Sequence, residues 1–318
     1  MPAEAVYSLV IKKENAHDDP IYSCVWTRAN ISGEPKGPMK DFIVTGGLDS
    51  LVKVWKLENN KLEIFHVLKG HSMAVVSVAA SPDGHTLATT SLDSTLVIWD
   101  LMSGNKVHEI QSGPTDIWNV AFSPNGTQLV SGSHTGKVII YGIEKGTVDR
   151  VLDTRGKFAV CVAWSRDGAY ICSGAVDGTI CIFDVAQGKL IHTEEAHTQT
   201  VRSVAFSKNS HLFVTASNDG FVKLYNAASA NLLCSLNLKS WVLSAAFSSV
   251  DNRIAAATAD GSVHVLNEDL KILKSFQEHS NIVWSVQFNA PSNKLLSVSK
   301  DKSINIYECP IPPKPAKK

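Results

Sequence analysis

Two markers recur along the chain at a nearly fixed interval. An apolar residue that opens a strand-like run falls at Ile21, Val75, Ile117, Ala159, Val201, Val242 and Val283, in steps of 54, 42, 42, 42, 41 and 41 residues. A large residue that closes a later run falls at Trp55, Trp99, Tyr141, Phe183, Tyr225, Leu266 and Tyr307, in steps of 44, 42, 42, 42, 41 and 41. Two independent markers with one step define seven repeats. A period of about 42 residues, cut into four short strands by turn residues, specifies an all-β, seven-bladed propeller with four antiparallel strands per blade. The repeats account for residues 1–309 as a single domain, and residues 310–318 form a Pro/Lys tail that cannot pair in a sheet.

The second unit shows how one blade is written. Val75–Ala80 is apolar on both faces, Ser81-Pro82-Asp83-Gly84 is a turn, and Thr86–Ser91 is a second strand. Leu92-Asp93-Ser94 turns the chain into Thr95–Trp99, and the polar run Lys106–Ile110 makes an outer strand. The last unit stops at Cys309 with no fourth run, whereas Val6–Ile11 precedes the first unit as an orphan strand. The N-terminal strand is therefore expected to complete the last blade, which leaves no long unpaired edge.

Charge and cysteine usage exclude several function classes. Thirty basic and thirty acidic residues give no net charge, which argues against direct binding of nucleic acid. The six cysteines, Cys24, Cys161, Cys172, Cys181, Cys234 and Cys309, have no metal-ligand spacing and read as small apolar filler in a reducing compartment. The N-terminal apolar run is too short for a signal peptide and no run approaches the ~20 residues that span a bilayer. The expectation is a soluble intracellular protein with no membrane association, no cofactor and no metal. Ser131-Gly132-Ser133-His134-Thr135-Gly136-Lys137 departs from a phosphate-binding loop in its glycine spacing and in Val138, and coincides with a turn of the third unit. No nucleophile elbow, zinc-spaced histidine set or other catalytic constellation is present, so an enzyme is not expected.

The Trp99-Asp100 pair, with Asp93 six residues before the Trp and His71 twenty-two before that Asp, resembles the WD-repeat family. The resemblance implies a buried polar tetrad in each blade that keeps the set: Asp accepts from His, the other ring nitrogen meets a hydroxyl, and the hydroxyl meets the closing aromatic residue. Placed on this sequence, the tetrads are His71, Ser91, Asp93 and Trp99; His197, Ser217, Asp219 and Tyr225; and His279, Ser299, Asp301 and Tyr307. A turn Asp also stands at 49, 177 and 260, but the third unit has Thr135 and units three, four and six lack the His. A buried polar chain of this kind is tolerated only when every member is satisfied.

The informative variation lies at the second residue of each inner strand. Tyr22, Val76, Trp118, Val160, Arg202, Leu243 and Trp284 occupy it, two residues ahead of the core positions Val78, Val120, Val162, Val204 and Val286 and hence expected on the same strand face. A packed site would not accept Val, Trp and Arg interchangeably, so this position should open to solvent at the entry end of the strand, beside the His turn; the WD-repeat resemblance implies that this end is the upper face, near the mouth of the channel. Phe158 and Trp241 stand two residues ahead of this position in units four and six, and His134 sits in a turn at the same end. Tyr22, Trp118, His134, Phe158, Arg202, Trp241 and Trp284 are thus the expected protein-binding set, with Asp18, Asp19 and Asp116 nearby. Aromatic and Arg side chains are the usual anchors of interfaces. The Gly/Pro-rich stretch Thr27–Lys40 lengthens one loop of the first unit at the opposite face and is expected to be disordered.

A narrower resemblance rests on Ala16-His17-Asp18-Asp19, Leu51–Lys56, Leu152–Phe158, Trp241-Val242-Leu243 and Ile304–Pro310. These segments are similar to the WD-repeat subunits of the superkiller complex. That group implies a non-catalytic, monomeric propeller within hetero-complexes of cytoplasm and nucleus. The implied partners are the tetratricopeptide-repeat scaffold and the helicase of the superkiller complex, which serves exosome-linked mRNA decay, and the RNA polymerase II-associated factor complex, which acts in transcription elongation and histone modification. The implied binding face is the upper one, gripping short motifs with Gln-Arg and a following apolar residue. Two other classes compete. A ubiquitin-ligase substrate receptor of one type would carry Arg two residues after the Trp-Asp aspartate, where Met102 and Ala186 stand; a propeller hydrolase would need a catalytic set.

Overall fold

The computed structural model of the chain describes residues 6–31, 37–111 and 117–311. These residues form seven four-stranded antiparallel sheets arranged as the blades of a propeller, and no helix. The inner strands run Ile21–Asn30, Val75–Ala80, Ile117–Phe122, Ala159–Trp164, Val201–Phe206, Val242–Phe247 and Val283–Phe288. The predicted closure is present: Ser8–Lys13 pairs with Ile304–Glu308, Ser8 opposite Glu308 and Lys13 opposite Ile304, as the outer strand of the last blade. Arg253 fastens this junction. Its buried guanidinium donates to the carbonyls of Ser292, Cys309 and Pro310 at 2.7, 3.2 and 3.0 Å and to Asp251 at 2.8 Å.

The core is distributed rather than central. Seven apolar clusters lie one at each junction between neighbouring blades, which is why the second strand of each blade is buried on both faces over most of its length. The closing residues Trp55, Trp99, Tyr141, Phe183, Tyr225, Leu266 and Tyr307 are all buried in these junctions. Five cysteines are buried and Cys234 half-buried, none in a disulfide, and burial pushes the thiols of Cys24, Cys161 and Cys309 up to about 12. Gly84 takes the positive φ (79°) that its turn requires, and a Cβ there would strike the Arg28 carbonyl.

The Gly/Pro-rich stretch of the first blade corrects an expectation. Thr27–Asn30 and Met39–Phe42 continue the hairpin in register, Thr27 opposite Phe42 and Asn30 opposite Met39, so both ends of the insertion are ordered sheet. The Trp26 indole donates to Asp41 at 2.9 Å and Lys40 pairs with Glu58, which ties the extension down. Residues 32–36 lie outside the described residues, as do 1–5, 112–116 and 312–318, and with them Asp116 and most of the expected tail.

Candidate functional site

The tetrads form, but through a different hydroxyl. In the second blade His71 Nδ1 lies 3.2 Å from Asp93 and His71 Nε2 2.7 Å from Thr89 Oγ1, which accepts the Trp99 indole N–H at 2.9 Å. Thr215 has the same place in the fifth blade and Ser297 in the seventh, each 2.7 Å from the histidine. Ser91, Ser217 and Ser299, expected there, instead donate to the carbonyls of Met73, Gln199 and Asn281 and hold the turns. The reason is strand register. Leu87 pairs with Trp99, so the indole reaches forward to Thr89, while Ser91 sits level with the start of the inner strand opposite Val75. The first blade carries a fourth complete set that the sequence reading did not assign: His17, Thr45, Asp49 and Trp55, at 2.9, 2.8 and 2.9 Å.

With the histidine neutral, the closing Trp99 of the second blade donates to the Thr89 hydroxyl, the hydroxyl donates to His71 Nε2, and Nδ1–H donates to Asp93. Burial lowers the pKa of His71 and His197, outweighing the Asp93 and Asp219 carboxylates that oppose it. Burial also pushes Asp93 and Asp301 up, yet the hydrogen bonds they accept, from Thr95 and Ser72 and from His279 and Ser303, leave both below the usual carboxylate range. The set is a staple that sits away from the channel.

The channel itself is built by a bulge. In every inner strand the pairing skips at the second residue, for example from Val75 opposite Ser91 to Ser77 opposite Thr90. The same shift falls at Tyr22, Trp118, Val160, Arg202, Leu243 and Trp284. A bulge re-aims side chains. It breaks the alternation that would have placed these residues on the face of the core valines, so that residues two and three of a strand both face the channel. This corrects the expectation of a shared face and explains why Val, Trp and Arg are interchangeable there.

The third residues form a belt between blades. Ser23, Ser77, Asn119, Ser203 and Ser244 each accept the main-chain N–H of the fourth residue in the next inner strand, at 3.1 to 3.3 Å. The ring closes where the Cys24 thiol meets Ser285 Oγ at 3.4 Å. In the fourth blade Cys161 takes the position and its thiol meets the Val201 carbonyl at 3.5 Å.

Above this belt lies a cavity of about 340 Å³. Tyr22, Trp118, Arg202 and Trp284 line it together with Val76, Leu92, Val160 and Leu243. Tyr22 meets Trp284 edge-on at 5.2 Å. Phe158 stands outside the cavity against Trp118 at 6.0 Å, and His134 packs on Phe158 at 6.1 Å. Trp241 does not line it and is 52% exposed. Arg202 donates to Asn218 at 3.0 Å through Nε, and the indole N–H groups of Trp118 and Trp284 have no partner. The sequence reading thus named four of the lining residues as a binding set and missed Leu92, which has no aromatic or charged signal. Among the described residues no group of three His, Cys, Asp or Glu is placed to hold a metal ion.

Residues 36–308 match the family described as the IFT122 first beta-propeller, and residues 8–56 match the WD domain, G-beta repeat. The chain is 32% identical over 113 residues to the WD repeat-containing protein SL1-17 of Schistosoma mansoni, a stretch covering 36% of each chain. It is 32% identical over 105 residues to the WD repeat-containing protein VIP3 of Arabidopsis thaliana, covering 33% of this chain and 30% of that one. It is 42% identical over 76 residues to the small ribosomal subunit protein RACK1y of Oryza sativa subsp. japonica, covering 24% and 22%. The chain thus spans about a third or less of the length of the curated relatives it matches. Proteins with such repeats typically serve as scaffolds or adaptors in protein interactions. With seven sheets of four strands and a match running over nearly all of them, the chain belongs to the family of the IFT122 first beta-propeller, within the WD-repeat propellers.

Proposed function

We propose that this propeller is a non-catalytic scaffold subunit that grips short segments of larger protein partners at the upper mouth of its channel. One observation carries the reading: Tyr22, Trp118, Arg202 and Trp284, each the extra residue of a bulge, converge on a single cavity. The site is preorganised. Strand ladders and the hydroxyl belt fix its walls, so little ordering cost falls on this side at binding. Trp and Arg set in a pocket are the residue types that dominate interface energetics, and an apolar side chain of a partner fits among Trp118, Trp284 and Tyr22.

The segments similar to the superkiller group extend the reading to named assemblies. In it the partners are the tetratricopeptide-repeat scaffold and helicase of the superkiller complex in the cytoplasm and the RNA polymerase II-associated factor complex in the nucleus. Asp18 and Asp19, on the loop before Tyr22, suit a basic group of the bound segment.

The test is calorimetric titration of a tetratricopeptide-repeat scaffold fragment against folded variants. Trp118→Ala and Trp284→Ala should each weaken binding by about 2 kcal/mol or more, the hot-spot range, with melting temperature nearly unchanged. A double variant that binds like the parent protein sinks the reading. Affinity purification with mass spectrometry then identifies which assembly is retained.

A further inference from the structure

The other end of the channel is chemically different from the rest of the surface. Below the hydroxyl belt it widens into a cavity of about 830 Å³. The chain as a whole balances thirty cations with thirty carboxylates, yet among the described residues no Asp or Glu lines this cavity, whereas Arg28, Arg166, Arg202 and Lys208 do. Arg28 is partly neutralised by Asp41 at 3.7 Å. Arg166 and Lys208 follow neighbouring inner strands, those of blades four and five, and are exposed at the rim.

The acids of the adjoining turns are already engaged. Asp83 accepts from the Ser81 hydroxyl and the His85 N–H. Asp167 accepts from Ser165 at 2.6 Å and from the Ala169 N–H at 3.0 Å, and Asp251 takes Arg253 at 2.8 Å. They hold their own turns and do not line the cavity.

A second observation points the same way. Trp164, in the cavity wall beside Arg166, is only 8% exposed and its indole N–H has no acceptor. In the first blade Trp26 holds the equivalent position and gives its N–H to Asp41 at 2.9 Å. Trp26 pairs with Ile43 and Trp164 with Ile171, so the residue of blade four that corresponds to Asp41 is Ala169, which offers no carboxylate. A buried donor without an acceptor costs about 1–3 kcal/mol, and because this N–H is closed to solvent a ligand oxygen relieves that cost once the ring turns toward the cavity.

We infer that the lower mouth of the channel is a binding site for a small polyphosphorylated anion, held by Arg166 and Lys208 with Trp164 as a neutral donor. The unused polar groups here are N–H donors, so a ligand carrying only acceptors suits them better than a peptide, which brings N–H groups of its own. Phosphate oxygens suit Arg in particular, through paired N–H contacts. The volume lies in the range of sites for small ligands, about 300–1,000 Å³. The site is independent of the upper mouth, and the test leaves Arg202, which borders both cavities, untouched.

The experiment is calorimetric titration of the full chain at low ionic strength with inositol hexakisphosphate, tripolyphosphate and ATP as separate arms, the order of affinity identifying the source of the phosphates. Saturable binding that weakens steeply with salt is expected. Arg166→Glu with Lys208→Glu should lower affinity at least tenfold, and Trp164→Phe severalfold, both at unchanged melting temperature. Trp118→Ala with Trp284→Ala should leave it intact, which separates this site from the upper one. No binding in any arm overturns the inference, as does unaltered binding by the charge-reversed protein, which would place the anion elsewhere. Tighter binding of a glutamate-rich peptide than of any phosphate at the same two residues overturns the small-anion assignment.

Discussion

Replacing Thr89 by Val tests the staple where the structure departs from the spacing of residues. Valine keeps the branched shape, so the cavity term is near zero and the change falls on hydrogen bonds. Thr89 Oγ1 lies 2.7 Å from His71 Nε2 and accepts the Trp99 N–H at 2.9 Å, with Thr89, His71 and Trp99 all buried. Its loss orphans one donor and one acceptor at about 1–3 kcal/mol each, so Thr89→Val should cost about 2–6 kcal/mol. Ser91→Ala removes a turn contact to the Met73 carbonyl at 3.0 Å and the Asp93 N–H contact at 3.2 Å, a loss of about 1 kcal/mol. In a chain of this size each kcal/mol shifts the melting midpoint by about 2 °C. The Thr89 variant should therefore melt roughly 4–12 °C below the parent and the Ser91 variant about 2 °C below. Urea unfolding followed by far-UV circular dichroism gives the free energies directly. Equal losses in the two variants, or a larger loss for Ser91→Ala, would refute the assignment of the hydroxyl.

Removing residues 1–13 takes away the outer strand of the last blade and bares the edge of Ile304–Glu308; size-exclusion chromatography should show aggregation, or calorimetry a clear fall in melting temperature, and a monomer that melts like the parent counts against closure by that strand. Stability should also fall with acidification in two stages. His71 and His197 have depressed folded pKa values, so their contribution is present above the unfolded value of about 6.5 and is lost as pH drops toward the folded one, at about 1.4 kcal/mol per pH unit per proton. Asp49, Asp93, Asp219 and Asp301 are depressed too, and add a further loss as pH falls through the carboxylate range. Urea melts at pH 8, 6.5 and 5 check the first stage; equal stability at all three contradicts it.

The propeller was legible because its period is carried by residues with strong local meaning. Turn aspartates, Pro-Asp-Gly corners and large closing residues act within one blade and need no knowledge of the neighbours. What register decides was harder to read. Thr89 and Ser91 are both hydroxyls on the same strand face, and spacing alone does not choose between them. The sequence does hold a clue in the first blade, where Gly47 occupies the place of Ser91 and only Thr45 can supply the hydroxyl. The bulge left no local mark, since one extra residue in an apolar run looks like continued strand. Hence the binding set was named for the right variability but on a mistaken face. Trp241 was grouped with the others as an aromatic residue two positions ahead of the variable one, yet it precedes its strand and lies outside the bulge. The donor-rich lower mouth was invisible because Arg28, Arg166 and Lys208 sit far apart in sequence and meet only when the ring closes.

The bulge at the second residue of each inner strand has a consequence for redesign. Positions 22, 76, 118, 160, 202, 243 and 284 are displaced from the ladder that holds the blade, and the chain already places Tyr, Val, Trp, Val, Arg, Leu and Trp on them. They form a seven-letter address around one opening, each letter rewritable without repacking a junction between blades. A library restricted to these seven codons should therefore yield mostly folded proteins with new partner preferences, which makes this ring a compact scaffold for engineered recognition.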